Sequence, residues 1–300
     1  MYDIIILGGG PAGCTAGVYA ARYNLKTLII SKDVGGWVNT TPYIENFPAE
    51  PKAVPGYELG TRFKEQVKNL GAELVEDEIE SVEKQEHYII KTKSGKEFSG
   101  EALVYALGGE KRRLGVPGEE EFLGKGVFFC VTCDGPMFRD RVVAVAGGGD
   151  SAVLSALMLT EYAEKVYMFV RDPELTARPH RADLANENPK IEILYNTSVK
   201  EIKGEKFVES VVLDNGKELK LKGLFIEIGM IPRTEFAENL GVELDHGLIK
   251  VNNDMTTNVE KLYAAGDLTT GSDRLAQIVT AAAEGAIAAH AAYRDLKGKK

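Results

Sequence analysis

Two glycine-rich turns of the same grammar lie roughly 140 residues apart in this chain, and their repetition constrains the fold more than any other feature. The first follows the apolar run Tyr2 to Leu7: Gly8-Gly9-Gly10-Pro11-Ala12-Gly13 leads into a small-residue helical pattern from Cys14 to Arg22, and a second strand runs from Lys26 to Ser31. The second follows Arg141 to Ala146: Gly147-Gly148-Gly149-Asp150-Ser151-Ala152 leads into a helical stretch ending near Glu161, then a strand from Lys165 to Val170. A glycine turn between strand and helix lets a pyrophosphate approach free N–H groups at the positive end of the helix dipole. A glycine-rich turn without a ligand is the bland alternative. The strand before and the helix after each turn favour the nucleotide reading, and Ala152 is tolerated because the third position of the motif serves only helix-strand packing. The fold class expected is α/β, with two doubly wound, Rossmann-like, three-layer nucleotide-binding domains.

Between the two units, residues 49–56 read as a loop, and Glu76 to Ser99 alternates like paired strands around the turn Ser94-Gly95. Leu114 to Gly118 reads as a crossover, and the acidic run Glu119 to Glu121 as a solvated loop. A strand-rich stretch with the turn Asp214-Asn215-Gly216 follows, and a helix from about Leu275 to Leu296 closes the chain.

Three hundred residues at 44% hydrophobic content can bury a core for about two domains. A net charge of -9 argues against nucleic acid or an anionic membrane surface as the main partner, since both need a basic face. No stretch is long enough to span a bilayer. Three cysteines in so long a chain are no disulfide framework, which points to a reducing cytoplasm. Cys130-Val131-Thr132-Cys133-Asp134 stands apart, because one turn can close the two cysteines into a small reducible ring with an acid beside it. Zinc is set aside: it wants four ligands, there is no second such pair, and His87, His180, His246 and His290 are scattered. Cys14, behind the first glycine turn, reads as a small packing residue.

The combination of GGGPAG at Gly8 to Gly13, GVFFCVTCDG at Gly126 to Gly135, GGGDSA at Gly147 to Ala152 and YAAGD at Tyr263 to Asp267 resembles the low-molecular-weight thioredoxin reductases over nearly the whole chain. The resemblance implies an FAD domain in two parts, 1–112 and 240–300, with a nicotinamide domain carrying the cysteine pair, 113–239, inserted between them. It implies that Gly8, Gly10, Pro11, Ala12 and Gly13 hold the FAD pyrophosphate, and that Gly36, Asn46, Gly266, Asp267 and Gln277 approach the rest of the flavin. It assigns Gly147, Gly149, Asp150, Ser151, Arg171 and Asp172 to a nicotinamide coenzyme. Cys133 would face the flavin, Cys130 would attack the partner's disulfide, and Asp134 would exchange protons with the thiolates. No metal is implied. A homodimer is implied, with thioredoxin or a glutaredoxin-like protein as substrate.

The chain departs from that family mainly around the electron donor. The arginines that would bind a 2′-phosphate are reduced to Arg171, and Asp172 stands where an acid accepts the ribose hydroxyls of NADH. Two unit charges at ~4 Å interact by about 4 kcal/mol at an effective dielectric of ~20, so an uncompensated Asp172 disfavours a 2′-phosphate unless Arg171, Arg178 or Arg181 offsets it. Trp37 replaces a glutamine, Leu154 replaces an acid, and Ala276 replaces an arginine before Gln277, with Arg274 two residues earlier. The expected activity is thioredoxin-disulfide reduction through FAD. The donor stays open among NADH, NADPH and a non-nicotinamide donor such as ferredoxin or a reduced deazaflavin. An NADH-dependent flavin oxidase and a non-catalytic redox sensor are the competing readings.

Overall fold

The computed structural model describes residues 1–41 and 44–298. The chain forms two compact units, Met1–Glu110 together with Pro232–Lys300, and Lys111–Ile231.

The first unit begins with β1 (Tyr2–Gly9), α1 (Pro11–Arg22) and β2 (Thr27–Val34), then α2 (Gly56–Asn69), β3 (Glu73–Glu76), β4 (Ile79–Lys84), β5 (Tyr88–Thr92) and β6 (Glu97–Tyr105). The apolar run of β1 makes sense as a strand buried on both sides: Ile4 and Ile6 enter one core, Ile5 and Leu7 the other, all fully buried. Each such side chain contributes ~1.5–3 kcal/mol of transfer free energy. β3, β2, β1 and β6 are parallel, and β5 and β4 extend the sheet antiparallel beyond β6, turning at Ser94-Gly95 as expected.

The chain leaves through β7 (Gly109–Lys111). The second unit contains β8 (Val127–Phe128), the single-turn α3 (Val131–Asp134), β9 (Val142–Ala146), α4 (Asp150–Leu159), β10 (Lys165–Phe169), α5 (Pro179–Glu187) and β11 (Ile191–Leu194). A three-stranded antiparallel sheet follows, β12 (Val199–Gly204), β13 (Val208–Leu213) and β14 (Glu218–Lys220), and then β15 (Gly223–Ile226). The parallel sheet runs β11-β10-β9-β15-β8, so β9 has β10 on one side and β15 on the other. Such a reversal of strand order is where α/β sheets bind ligands. Helices α4 and α5 cover one face, burying Ala152, Ala156 and Ala185 on Val143 and Val145. The other face is covered by β12 to β14 through Ile202, Val208 and Val211, so the third layer is sheet where double winding would put helix.

The returning strand β16 (Met230–Pro232) pairs with β7. It is followed by α6 (Glu235–Asn239), the small ladder β17 (Leu244–Asp245) with β18 (Leu248–Ile249), β19 (Leu262–Ala264) on the carboxyl half of β6, and α7 (Ile278–Lys297). The division falls at residues 231 and 232 where the sequence suggested 239 and 240, because Ala237 of α6 is buried with Leu7, Tyr105 and Leu262 of the first unit. α7 starts three residues later than its composition suggests, because Gln277 caps it reciprocally with Thr280.

One expectation about the surface is overturned. Glu119, read as part of a solvated acidic loop, is only 3% exposed. Its carboxylate accepts the Gly115 N–H at 2.7 Å and faces Arg113 at 3.8 Å, so it staples the 114–118 turn from inside.

Candidate functional site

In the first unit the glycine turn is built by close approach. Gly8 has φ +105, and a Cβ there would lie 2.2 Å from the Ala106 carbonyl oxygen; a Cβ on Gly13 would lie 1.9 Å from the Gly8 oxygen. These two residues are glycine because strand and helix pack without room for a side chain. Gly10 is different: a Cβ there would meet nothing within 4 Å. Packing within the protein therefore does not explain this glycine, and the open space beside it fits the close approach of a pyrophosphate. Gly10 caps α1 in extended conformation without a side-chain cap, and Pro11 follows in the first turn.

Two other expected residues join this cradle. A Cβ on Gly36 would sit 3.4 Å from the Gly10 Cα, and one on Gly266 would sit 3.1 Å from the Ala12 Cβ. Asp267 follows Gly266 and lines a small cavity with Gly266, Thr269, Leu275 and Glu284. Asn46 donates to the Gln277 side-chain oxygen at 3.0 Å, joining two expected positions 231 residues apart. These groups fit a flavin dinucleotide: a neutral, glycine-walled helix N-terminus for the phosphates and amide side chains beside it.

Sequence reasoning missed two supports of this cradle. Ser31 accepts the Gly9 N–H at 2.9 Å and donates to the Asp33 carbonyl at 2.6 Å, fixing the turn from β2. Glu284 is 3% exposed and accepts the Gly266 N–H at 2.7 Å and the Thr269 hydroxyl at 3.0 Å. A lone acid inside the alanine- and glycine-rich run of α7 was its signal in the sequence. Arg274 is ion-paired with Asp245 at 2.8 Å, at the end of a 272–274 segment whose three residues all have left-handed φ. Trp37 donates its indole N–H to the Gly109 carbonyl at 2.8 Å. An open groove along α1 and α2, walled by Tyr19, Arg22, Arg62 and Leu70, holds none of the expected site residues.

In the second unit Cys130 and Cys133 form a disulfide with Cα atoms 5.4 Å apart. Cys130 caps α3, and its sulfur accepts the Cys133 N–H at 3.2 Å. Both residues are half-buried, while Asp134 is 4% exposed. Burial pushes the Asp134 carboxyl up to about 7, placing it where it can take or give a proton near neutrality. Cys14, by contrast, is fully buried, donates to the Gly9 carbonyl at 3.2 Å, and has its thiol pushed up to about 12 by burial. That is an inert packing thiol.

The second glycine turn repeats the first at its root. Gly147 has φ +140, with the Glu227 carbonyl oxygen 2.3 Å from a would-be Cβ. Gly149 caps α4 in extended conformation and faces open space, the Thr176 hydroxyl being nearest at 3.9 Å. Ala152 is fully buried against the turn. Ser151 is exposed. Asp150 is held by Arg178 at 3.0 Å and Arg181 at 3.1 Å, and also accepts the Arg178 N–H at 2.8 Å. The two arginines that could have offset Asp172 are therefore engaged elsewhere. Among the described residues Asp172 is ion-paired with Arg171 alone, at 3.8 Å in an exposed pair. Such a pair contributes little.

Residues 2–285 match the family model described as pyridine nucleotide-disulphide oxidoreductase. The chain is 40% identical over 296 residues to the thioredoxin reductase of Bacillus subtilis, covering 96% of this chain and 93% of that protein. Among solved structures, the thioredoxin reductase from Streptococcus pyogenes matches with TM-score 0.92 and 35% identity over 99% of this chain and 98% of the other. That of Giardia duodenalis matches with TM-score 0.92 and 35% identity over 99% of both. With its cysteine pair, its two glycine turns and these relatives in agreement along nearly its full length, the chain belongs to the pyridine nucleotide-disulphide oxidoreductases and, among them, to the thioredoxin reductases.

Proposed function

We propose that this oxidoreductase is an FAD-containing, cytoplasmic thioredoxin-disulfide reductase that takes electrons from NADH and passes them through the Cys130-Cys133 pair to thioredoxin or a glutaredoxin-like protein. The observation that carries the reading is the disulfide on a single helical turn with a buried acid next to it. FAD, held at Gly8 to Gly13, Gly36, Asn46, Gly266, Asp267 and Gln277, supplies the exchange of an electron pair between a nicotinamide and a disulfide.

In the reduced pair, the Cys130 thiolate attacks one sulfur of the partner's disulfide, forming a mixed disulfide and expelling the partner's other sulfur as a thiolate. Asp134 provides the proton for that leaving thiolate. The ionised Asp134 then takes the Cys133 proton, the Cys133 thiolate attacks the Cys130 sulfur of the mixed disulfide, and Asp134 returns that proton to the departing partner sulfur, which restores the Cys130-Cys133 bond and releases the partner as a dithiol. The two electrons lost by the cysteine pair are those gained by the partner. Asp134 suits this work because its carboxyl is held near neutrality by burial.

NADH is favoured as donor because Asp172 follows β10 at the place of the ribose-binding acid, while Arg178 and Arg181 are bound to Asp150. The reading includes a homodimer, as the family resemblance implies.

The test is anaerobic titration of the purified protein with NADH and, separately, NADPH, following the visible absorbance of the flavin. Bleaching by NADH in preference is expected; preference for NADPH overturns the reading of Asp172. Reduction by dithionite alone turns the search to ferredoxin or deazaflavin donors. Cys133→Ser is expected to keep FAD and lose reduction of the partner, and full activity in that variant would sink the mechanism.

A further inference from the structure

In the second unit a half-buried carboxyl, Glu227, stands just past the end of β15. Glu227 continues the strand by donating its N–H to the Ala146 carbonyl at 2.8 Å, and its own carbonyl is what forces glycine at Gly147. Its side chain reaches back to α4, where the Ser155 hydroxyl donates to Oε1 at 2.9 Å. Burial raises the carboxyl above the usual glutamate range, against the opposing pull of Lys111 and Ser155. A half-buried carboxyl held by a hydroxyl of α4, on the strand end that packs against the glycine turn, is placed to accept a hydrogen bond from a ligand lying there.

Strand order says which end of a ligand it would meet. β9 ends in the glycine turn, β10 lies on one side of it and β15 on the other. A dinucleotide draped over this edge, with its pyrophosphate at Gly149 and its adenosine ribose at Asp172 beyond β10, extends its other half toward β15. That half ends in the nicotinamide. At the neighbouring helix position, Leu154 is 43% exposed and replaces the acid that the family resemblance implies.

We infer that Glu227, oriented by Ser155, is a specificity-determining residue that accepts the carboxamide N–H group of the nicotinamide and so supplies from β15 the carboxyl that α4 lacks at Leu154. Ser155 engages Oε1, and Oε2 is the atom assigned to the ligand. The inference rests on the proposed use of the second glycine turn by a nicotinamide coenzyme.

The experiment is calorimetric titration of the oxidised holoenzyme with three unreactive probes: NAD+, its 3-acetylpyridine analogue, in which a methyl group replaces the carboxamide nitrogen, and ADP-ribose, which has no pyridine ring. Glu227→Ala is expected to weaken NAD+ about tenfold, which is ~1.4 kcal/mol, while leaving the other two probes unchanged. Ser155→Ala gives a smaller loss for NAD+ alone, and Glu227→Gln, which keeps an acceptor oxygen, recovers part of the affinity. Equal weakening of NAD+ and ADP-ribose identifies a structural role and overturns the inference, as does no change in either. If the wild-type protein binds ADP-ribose and NAD+ equally, Glu227 has no contact to lose and the inference fails alone. If it binds neither, the nucleotide reading of the second turn fails and the inference falls with it.

Discussion

The two glycine turns share one local design and differ in what surrounds them. The first is sealed by packing: Gly36 and Gly266 close on Gly10 and Ala12, Ser31 and Glu284 hold the backbone, and the first turn of α1 carries no acid. The second is governed by charge: Asp150 stands in the first turn of α4, clamped by Arg178 and Arg181. A closely packed cradle suits a cofactor that stays. A half-open cradle whose ion pairs can exchange partners suits a coenzyme that comes and goes, because exposed pairs are weak and rearrange readily.

The strongest way to break this contrast is to disturb its shared root. Gly13→Ala puts a Cβ 1.9 Å from the Gly8 oxygen, so it is expected to give little or no folded flavoprotein, read as soluble yield and flavin absorbance. A sharper comparison uses the two glycines that face open space. Gly10→Ala should fold but purify without FAD, whereas Gly149→Ala should keep FAD and raise KM for the nicotinamide donor several-fold. If both variants behave alike, the contrast between a retained and an exchanging ligand is wrong.

Asp134→Asn tests the buried acid beside the cysteines, with a loss in turnover of about 10²-fold expected near neutral pH. Its stability has a definite sign. Between the ordinary aspartate range and about 7 the folded protein holds a proton that the unfolded chain releases, so wild-type stability falls as pH rises through that window and levels off above it. The asparagine variant lacks this fall. It should be the more stable protein at pH 8, by on the order of 2 kcal/mol in urea unfolding, with the advantage vanishing toward pH 4.

Asp150→Asn should free Arg178 and Arg181 and raise the NADPH-to-NADH ratio of kcat/KM by about fivefold, roughly 1 kcal/mol. An unchanged ratio would mean that those arginines do not reach the 2′ position. The smallest effect is expected of Cys14→Ala, which removes one buried thiol and its bond to the Gly9 carbonyl. It should cost about 1 kcal/mol of stability and leave partner reduction intact.

Much of this was legible in the chain itself. Runs such as Tyr2 to Leu7 and Arg141 to Ala146 announce parallel strands because both faces of each are buried, and the turns at Gly8 and Gly147 follow because only glycine tolerates their backbone and their neighbours. The spacing of Cys130 and Cys133 was enough to foresee the disulfide, since residues three apart on one helical turn bring their sulfurs together. What only the tertiary structure decided is where charge goes. Glu119 looked solvated and is buried, because the 114–118 turn folds around it; Arg178 and Arg181 looked free for Asp172 and are held by Asp150; Glu227, which no sequence motif singles out, accepts the Ser155 hydroxyl. Backbone rules act over a few neighbours and can be read along a sequence. The partner of a charge is chosen by distance in space, and residues such as Ser155 and Glu227, 72 positions apart, meet only once the sheet has put their strand and helix side by side.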